Sequence, residues 1–324
     1  MIVTVNQHAD PEQVQAELQG LGLWAQRLDS HNGPTTLLIA PYSATVSIDT
    51  LRSVAGVQDV HAARSPRPRL DERAGQAASV GTTIIGPGAP PVLMAGPCSV
   101  ESEEQIQSAA RMVRAAGGTL LRGGAYKPRT SPYPFDGHGE VALDWLRAAA
   151  DAHGLGVVTE AMSERHVDQV ARVADLIQVG SRNMQNFALL RVVGATGKPV
   201  LLKRGRAATI DEWLLAGEHL LAAGAPDVIF CERGIASFDA STRNLLDLSA
   251  VAVLKHQHEL LVLVDPSHAT GRADLVLPLS KAALAAGADG LLIETHPDRR
   301  LAQSDGPQAL QPDALQALGE ACFP

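Results

Sequence analysis

The chain has 324 residues, enough at roughly 150 per domain for two domains, or for one α/β barrel of about 250 residues with a small extra domain. Hydrophobic residues make up 45% and charged residues 19%, which excludes a disordered chain, and Gly and Pro follow no collagen-like period. Lys and Arg total 27 against 35 Asp and Glu, a net charge of −8 that argues against nucleic acid as a partner, and no basic run offsets it.

Cys98, Cys231 and Cys322 lie far apart, with neither a CxxC pair nor a disulfide framework, which fits a reducing cytosol. The opening MIVTVNQHADPEQ lacks the basic segment and apolar stretch of a signal peptide. Residues 74–100 carry no charge, but Gly81, Gly86, Pro87, Gly88, Pro90, Pro91, Gly96 and Pro97 break any spanning helix. A cytoplasmic protein without membrane contact is expected.

Residues 2–6 (IVTVN) read as a strand. Asp10 then caps, and Pro11 starts, a helix whose Val14, Leu18 and Leu21 share a face. Strands at 24–29 and 35–40 are joined by a turn through Ser30, His31, Asn32, Gly33 and Pro34. A short helix from Ile48 to Ala55 and a strand at 57–62 complete a βαββαβ pattern. Residues 1–66 are therefore expected to form a ferredoxin-like or ACT-like domain. Its helices can cover one sheet face, which leaves the other face or an edge for a partner or small ligand. A regulatory module and a dimerisation module both fit.

The Pro- and Arg-rich stretch that follows reads as a linker, 67–79. Across 80–324 the pattern changes. Short apolar runs recur at 92–96, 118–122, 155–160, 176–180, 199–203, 227–232, 260–265 and 290–294, with amphipathic helical segments such as Glu101–Ala116 and Leu279–Ala286 between them. Eight strands each followed by a helix match an α/β fold of the (β/α)8 TIM-barrel type, with a doubly wound open sheet as the alternative.

In such barrels chemistry sits at the carboxyl ends of the strands, and here nearly every run ends in a polar residue. Arg122, Lys127, Arg129, Arg182, Lys203 and Arg233 form a cationic set that takes two of the chain's five lysines. Like charges converging on one mouth require a bound anion, and guanidinium forks match carboxylate and phosphate oxygens. Pairing with acidic neighbours on a solvated rim is the competing explanation. A second set, Cys98, His268, Glu294 and Asp305, offers a thiolate, an imidazole and two carboxylates, which suits Mn, Fe, Co or Zn. Taken singly, Cys98 reads as a small core residue and His268 as a turn histidine. Cys231 lies in the apolar run VIFCE and reads as core. GPGAP and RGG contain no GxGxxG, GxxxxGKS or GxSxG pattern, so neither a nucleotide cradle nor a hydrolase elbow is indicated.

The segments AGPCSVES (95–102), LRGGAYKPRTSPYPF (121–135), GSRNMQNF (180–187), LLKRG (201–205), CERG (231–234), DPSHATG (265–271), IETHPD (293–298) and SDGPQ (304–308) together resemble one family. It is the metal-dependent 3-deoxy-D-arabino-heptulosonate 7-phosphate (DAHP) synthases of the type I beta subgroup, and the resemblance covers about residues 80–324. The N-terminal domain is similar to the ferredoxin-like regulatory extension of some members. The resemblance implies a (β/α)8 barrel that condenses phosphoenolpyruvate with erythrose 4-phosphate and releases phosphate, the first step of the shikimate pathway.

It further implies a divalent ion held by Cys98, His268, Glu294 and Asp305. Arg122 and Lys127 would meet the phosphoenolpyruvate carboxylate, Arg182, Lys203 and Arg233 its phosphate, and Arg129, Thr130 and Ser131 the aldose phosphate. Glu160 or Asp265 would position or deprotonate the attacking water, or orient His268. Two rivals are 3-deoxy-D-manno-octulosonate 8-phosphate synthase, against which Lys127, Pro128, Arg129, Thr130 and Ser131 speak, and a catalytically silent effector-binding protein. Feedback inhibition by tyrosine or phenylalanine and assembly as a homodimer or tetramer are also expected.

Overall fold

The computed structural model describes residues 1–29, 34–40, 42–61, 65–127 and 135–323. The chain divides into two compact units, Met1–Pro66 and Arg67–Pro324.

In the first unit, β1 (Ile2–Val5), α1 (Pro11–Gly20), β2 (Ala25–Leu28), β3 (Thr36–Ile39), α2 (Ile48–Arg52) and β4 (Val57–His61) follow the βαββαβ order read from the sequence. The sheet order is β2-β3-β1-β4, and every pairing is antiparallel. Asp10 accepts from the Glu12 N–H at the start of α1, with Pro11 in the first turn, and Ser47 caps α2 in the same way. Val3, Val5, Val14, Leu18, Leu37, Leu51 and Val60 form a core under the two helices. Leu21 is an exception to the expected face: the helix ends at Gly20, so Leu21 becomes its exposed C-cap and Leu23 packs inward instead. Ile2, Leu28 and Leu38, on the opposite sheet face, stay exposed.

The stretch 67–79 is not the loosely packed linker expected from its composition. It carries α3 (Pro68–Glu72) and the start of β5 (Ala78–Val80), which pairs with β6 (Thr83–Ile85). Leu70 is fully buried, and the Glu218 carboxylate accepts from the N–H groups of Arg69 and Leu70, holding the first turn of α3. One buried leucine and a carboxylate from 150 residues away leave no periodicity to read.

The barrel strands are β7 (Val92–Gly96), β8 (Leu120–Arg122), β9 (Gly156–Glu160), β10 (Leu176–Val179), β11 (Val200–Lys203), β12 (Val228–Glu232), β13 (Val262–Val264) and β14 (Gly290–Glu294). All pairings are parallel, and β14 pairs with β7 to close the barrel. The main helices are α4 (Glu103–Ala115), α5 (Glu140–Ala152), α6 (Val167–Val173), α7 (Phe187–Gly194), α8 (Ile210–Ala223), α9 (Leu248–His256), α10 (Pro266–Thr270), α11 (Val276–Ala285) and α12 (Pro312–Cys322). Alternation along the strands divides the apolar residues into two cores. Met94, Leu120, Val158, Leu176, Leu201, Ile229, Cys231, Leu263 and Leu292 fill the interior together with Ala78, Val80 and Ile85 of the β5–β6 hairpin. The hairpin approaches Asp175 and Leu261, just ahead of β10 and β13, so it closes the amino end. The strand-to-helix annulus holds residues such as Ile106, Leu146, Leu189, Trp213 and Leu254. With one end plugged, the polar strand ends open only at the other.

Candidate metal centre and anion-binding mouth

Gly96 ends β7 at φ +152°, and a Cβ there would collide with the carbonyl oxygen of Arg122. Only glycine permits this close approach, which turns the chain so that Cys98 enters the mouth beside β8. Glu294 is the last residue of β14. Asp265 caps α10 by accepting from the His268 N–H, so cap and histidine stand together on one short helix. Asp305 lies in the loop after β14 at φ +55°, a left-handed conformation that aspartate adopts more readily than most residues.

The donor atoms of Cys98, His268, Glu294 and Asp305 all lie within 4.8 Å of one another. Cys98 Sγ is 3.0 Å from Asp305 Oδ2, and His268 Nε2 is 3.4 Å from Glu294 Oε2 and 3.9 Å from Asp305 Oδ2. Two donors bound to one ion at about 2.0–2.3 Å stand at most about 4.6 Å apart, so the group is close to the width of a single coordination shell. The surrounding polar groups each face a ligand. Ser304 donates to Cys98 Sγ at 3.0 Å, Lys127 Nζ lies 2.9 Å from the same sulfur, and Gln308 donates to Glu294 Oε2 at 2.7 Å. Asp265 Oδ2 sits 2.7 Å from His268 Nδ1.

Without an ion, burial dominates the protonation of three of the four ligands. It pushes the Glu294 carboxyl up to about 8 against the opposing Arg122 guanidinium, and it raises the Cys98 thiol. Burial drops the His268 imidazole to about 3, against the pull of Asp265, so its Nε2 lone pair is available to a ligand. Burial also works to raise Asp305, but the neighbouring His268, the Cys98 hydrogen bond and the cations Arg243 and Lys127 bring it down to about 2.

Beside these donors lies a cavity of about 300 Å³ lined by Arg122, Lys127, Arg182, Lys203, Arg206, Arg233 and Arg243 together with Glu160 and Gln178. Arg122 is buried, and its Nη1 has no hydrogen-bond partner among the described residues. The Arg233 guanidinium is weakened by burial and by the like charges of Arg243 and Arg206. Lys203 is held by Asp265 at 2.5 Å. Arg204 takes the other side of its strand and is buried against Glu232 and Asp247, so it does not join the mouth.

The structure therefore brings Cys98, His268, Glu294 and Asp305 together, and Arg122, Lys127, Arg182, Lys203, Arg233 and Glu160 around one opening. Asp265 is placed behind His268 and Lys203, with its side chain 1% exposed. Arg129, Thr130 and Ser131 lie outside the described residues. Arg206 and Arg243 were missed. Arg206 follows Lys203 by three residues in LLKRGR, so its spacing from the strand end marks it, whereas Arg243 sits deep in the β12–α9 connection, where no pattern marks it.

A sequence profile of the DAHP synthetase I family matches residues 68–322. The chain is 51% identical over 226 residues, 70% of its length and 67% of the relative's, to phospho-2-dehydro-3-deoxyheptonate aldolase of Thermotoga maritima. A 2-dehydro-3-deoxyphosphooctonate aldolase of Acidithiobacillus ferrooxidans is more distant, 33% identical over 67% of this chain and 83% of its own. The crystal structure of the Thermotoga maritima phospho-2-dehydro-3-deoxyheptonate aldolase (DAHP synthase) superposes with a TM-score of 0.77 at 41% identity, covering 98% of this chain and 95% of that one. A truncated form of 3-deoxy-D-arabino-heptulosonate 7-phosphate synthase from the same organism gives 0.71 at 45% identity, over 76% and 90%. The closed barrel, its donor cluster and these matches together place the chain in the DAHP synthetase I family.

Proposed function

We infer that this chain condenses phosphoenolpyruvate with erythrose 4-phosphate to give 3-deoxy-D-arabino-heptulosonate 7-phosphate and inorganic phosphate, at the start of the shikimate pathway. The observation that carries this reading is the adjacency of a four-donor cluster to a mouth lined by seven cations. The two substrates bring one carboxylate and two phosphates, the charge such a mouth needs.

Arg122 lines this opening with a buried Nη1 that has no hydrogen-bond partner among the described residues, which fits a carboxylate acceptor, and Lys127 lines it too. Arg182, Lys203 and Arg233 line the remainder of the cavity and take the phosphate of phosphoenolpyruvate. By family resemblance, Arg129, Thr130 and Ser131 receive the aldose phosphate. Orienting both anions presents C3 of phosphoenolpyruvate to the aldehyde carbon, so the C–C bond forms from a prearranged pair. Water then adds at C2, and the phosphate leaves with its bridging oxygen as C2 becomes a ketone. Glu160 reaches the cavity and is held by Gln178 at 3.1 Å, which suits it to position or deprotonate that water. Asp265 is enclosed by Lys203 and His268, which suits it to orienting both. Cys98, His268, Glu294 and Asp305 hold a divalent ion among Mn, Fe, Co and Zn, and when bound it supplies Lewis-acid polarisation of the aldehyde oxygen. The exposed outer sheet face of residues 1–66 fits a tyrosine or phenylalanine effector, and a homodimer or tetramer follows the resemblance.

Phosphate release measured with erythrose 4-phosphate and with arabinose 5-phosphate tests the assignment. Preference for the four-carbon sugar is expected, and preference for arabinose 5-phosphate overturns it.

A further inference from the structure

Glu101 follows Cys98 by three residues but is not among the four donors. Its carboxylate is 9% exposed and turns both oxygens toward the segment after β14: Oε1 accepts the Gln303 N–H at 2.8 Å, and Oε2 lies 3.3 Å from His296 Nε2. His296, two residues past Glu294, is buried as well, and its Nδ1 accepts the Asp298 N–H at 3.1 Å. A ring nitrogen that accepts carries no proton, so the ring hydrogen sits on Nε2 and points at Glu101. The backbone carbonyl of Glu101 accepts from His138 Nε2 at 3.1 Å, and His138 belongs to the segment between β8 and α5 whose Lys127 N–H donates to Asp136 at 2.8 Å.

Three strand-end segments thus meet at one residue: those bearing Cys98, Lys127 and Asp305. The Asp305 segment most needs such a tie. It leaves β14 at Glu294, is bridged to Leu310 at Thr295, and then reaches the 306–308 turn without a helix or strand, and its ligand adopts a left-handed backbone. We propose that Glu101 and His296 are a positioning pair that holds Asp305 at ligand distance from Cys98, so that affinity for the divalent ion depends on a contact made by neither ligand. Carboxylate and imidazole groups behind metal ligands commonly act this way, and misplacing a site by about 1 Å is enough to impair it. The proposal rests on the reading of Cys98, His268, Glu294 and Asp305 as the metal group.

Two substitutions at one position separate the contacts. His296→Asn keeps an acceptor where Nδ1 stands but cannot reach Glu101, whereas His296→Gln keeps a donor toward Glu101. Metal-stripped full-length protein is titrated with Co²⁺, followed by its thiolate absorption and by calorimetry. Glu101→Gln and His296→Asn are expected to raise the Kd for Co²⁺ about tenfold or more, with His296→Gln within about threefold of the unsubstituted protein. Glu218→Ala, which removes only the cap on α3, should lower Tm and leave the Kd unchanged. A His296→Asn protein that binds Co²⁺ as tightly as the unsubstituted one overturns the proposal, and Glu101→Gln decides in the same way if that variant does not fold. An unsubstituted protein that binds no Co²⁺ overturns the metal reading and the pair with it. One that binds and turns over while both variants bind equally tightly overturns the pair alone.

Discussion

Asp265 Oδ2 lies 2.7 Å from His268 Nδ1 and, on its other side, 2.5 Å from Lys203 Nζ. One buried oxygen therefore connects a member of the donor cluster to a cation of the anion mouth. A carboxylate this close to Nδ1 favours the ring proton on that nitrogen, which leaves Nε2 toward the cluster as a lone pair. Asp265→Asn cannot serve both neighbours. Weaker divalent-ion binding by roughly ten- to a hundredfold is expected, together with a raised KM for phosphoenolpyruvate. Calorimetric titration with Mn²⁺ and initial rates at saturating erythrose 4-phosphate check the two effects, and a change in only one removes the proposed connection.

Metal binding should release protons. With Glu294 at about 8 and the Cys98 thiol raised, both groups are protonated near neutrality in the metal-free protein, whereas ligation requires the charged forms. Affinity is expected to climb as pH rises toward 8, and calorimetry in buffers of different ionisation enthalpy should show net proton release. The stability of the metal-free protein runs the opposite way. A carboxyl whose folded value is raised contributes stability below its unfolded value, and this contribution is lost as pH rises through about 8. Thermal unfolding of stripped protein between pH 5 and 9 should show that fall, and saturating metal should remove it.

Arg206 and Arg243 widen the cationic wall beyond the residues that end strands. Arg206 Nε donates to Asn244 at 3.0 Å, and Arg243 reaches Asp305 at 3.4 Å and Gln308 at 3.2 Å. Each guanidinium lines the cavity while anchored on one side. Replacing either with alanine should raise the KM for a phosphorylated substrate by roughly tenfold or more, the scale of a lost charge-assisted hydrogen bond. Arg243→Ala should also weaken metal binding, because it frees Asp305, whereas Arg206→Ala should not. Separate KM values for the two substrates, with Mn²⁺ titrations of both variants, distinguish the roles.

The barrel was legible because its strands are buried on both faces and so appear as short apolar runs punctuated by glycine, such as VLMAG and GLLIE. The mouth was legible at strand ends, where Arg122, Lys203 and Glu294 follow apolar runs directly and Arg233 comes one residue later. Loop residues were not. The path of the β12–α9 connection sets the place of Arg243, and no period encodes that path. Likewise Glu101 and His296 stand in the quoted motifs AGPCSVES and IETHPD, but their contact appears only once β7 and β14 pair. The helix α3 escaped notice because its cap, Glu218, comes from α8.

The small N-terminal unit has a core drawn from its own residues, from Val3 to Val60, while Ile2, Leu28 and Leu38 remain exposed on the outer sheet face and Trp24 beside it is 56% exposed. A face of this kind suits an apolar or aromatic ligand and adds nothing to the donor cluster, whose members all lie beyond residue 97. Deleting residues 1–66 is expected to leave turnover near that of the full chain and to abolish inhibition by tyrosine or phenylalanine. Rates of phosphate release for both forms, across a range of each amino acid, check this. Inhibition that survives the deletion would move the sensor into the barrel, and a full-length enzyme indifferent to both amino acids would remove the regulatory role of the unit altogether.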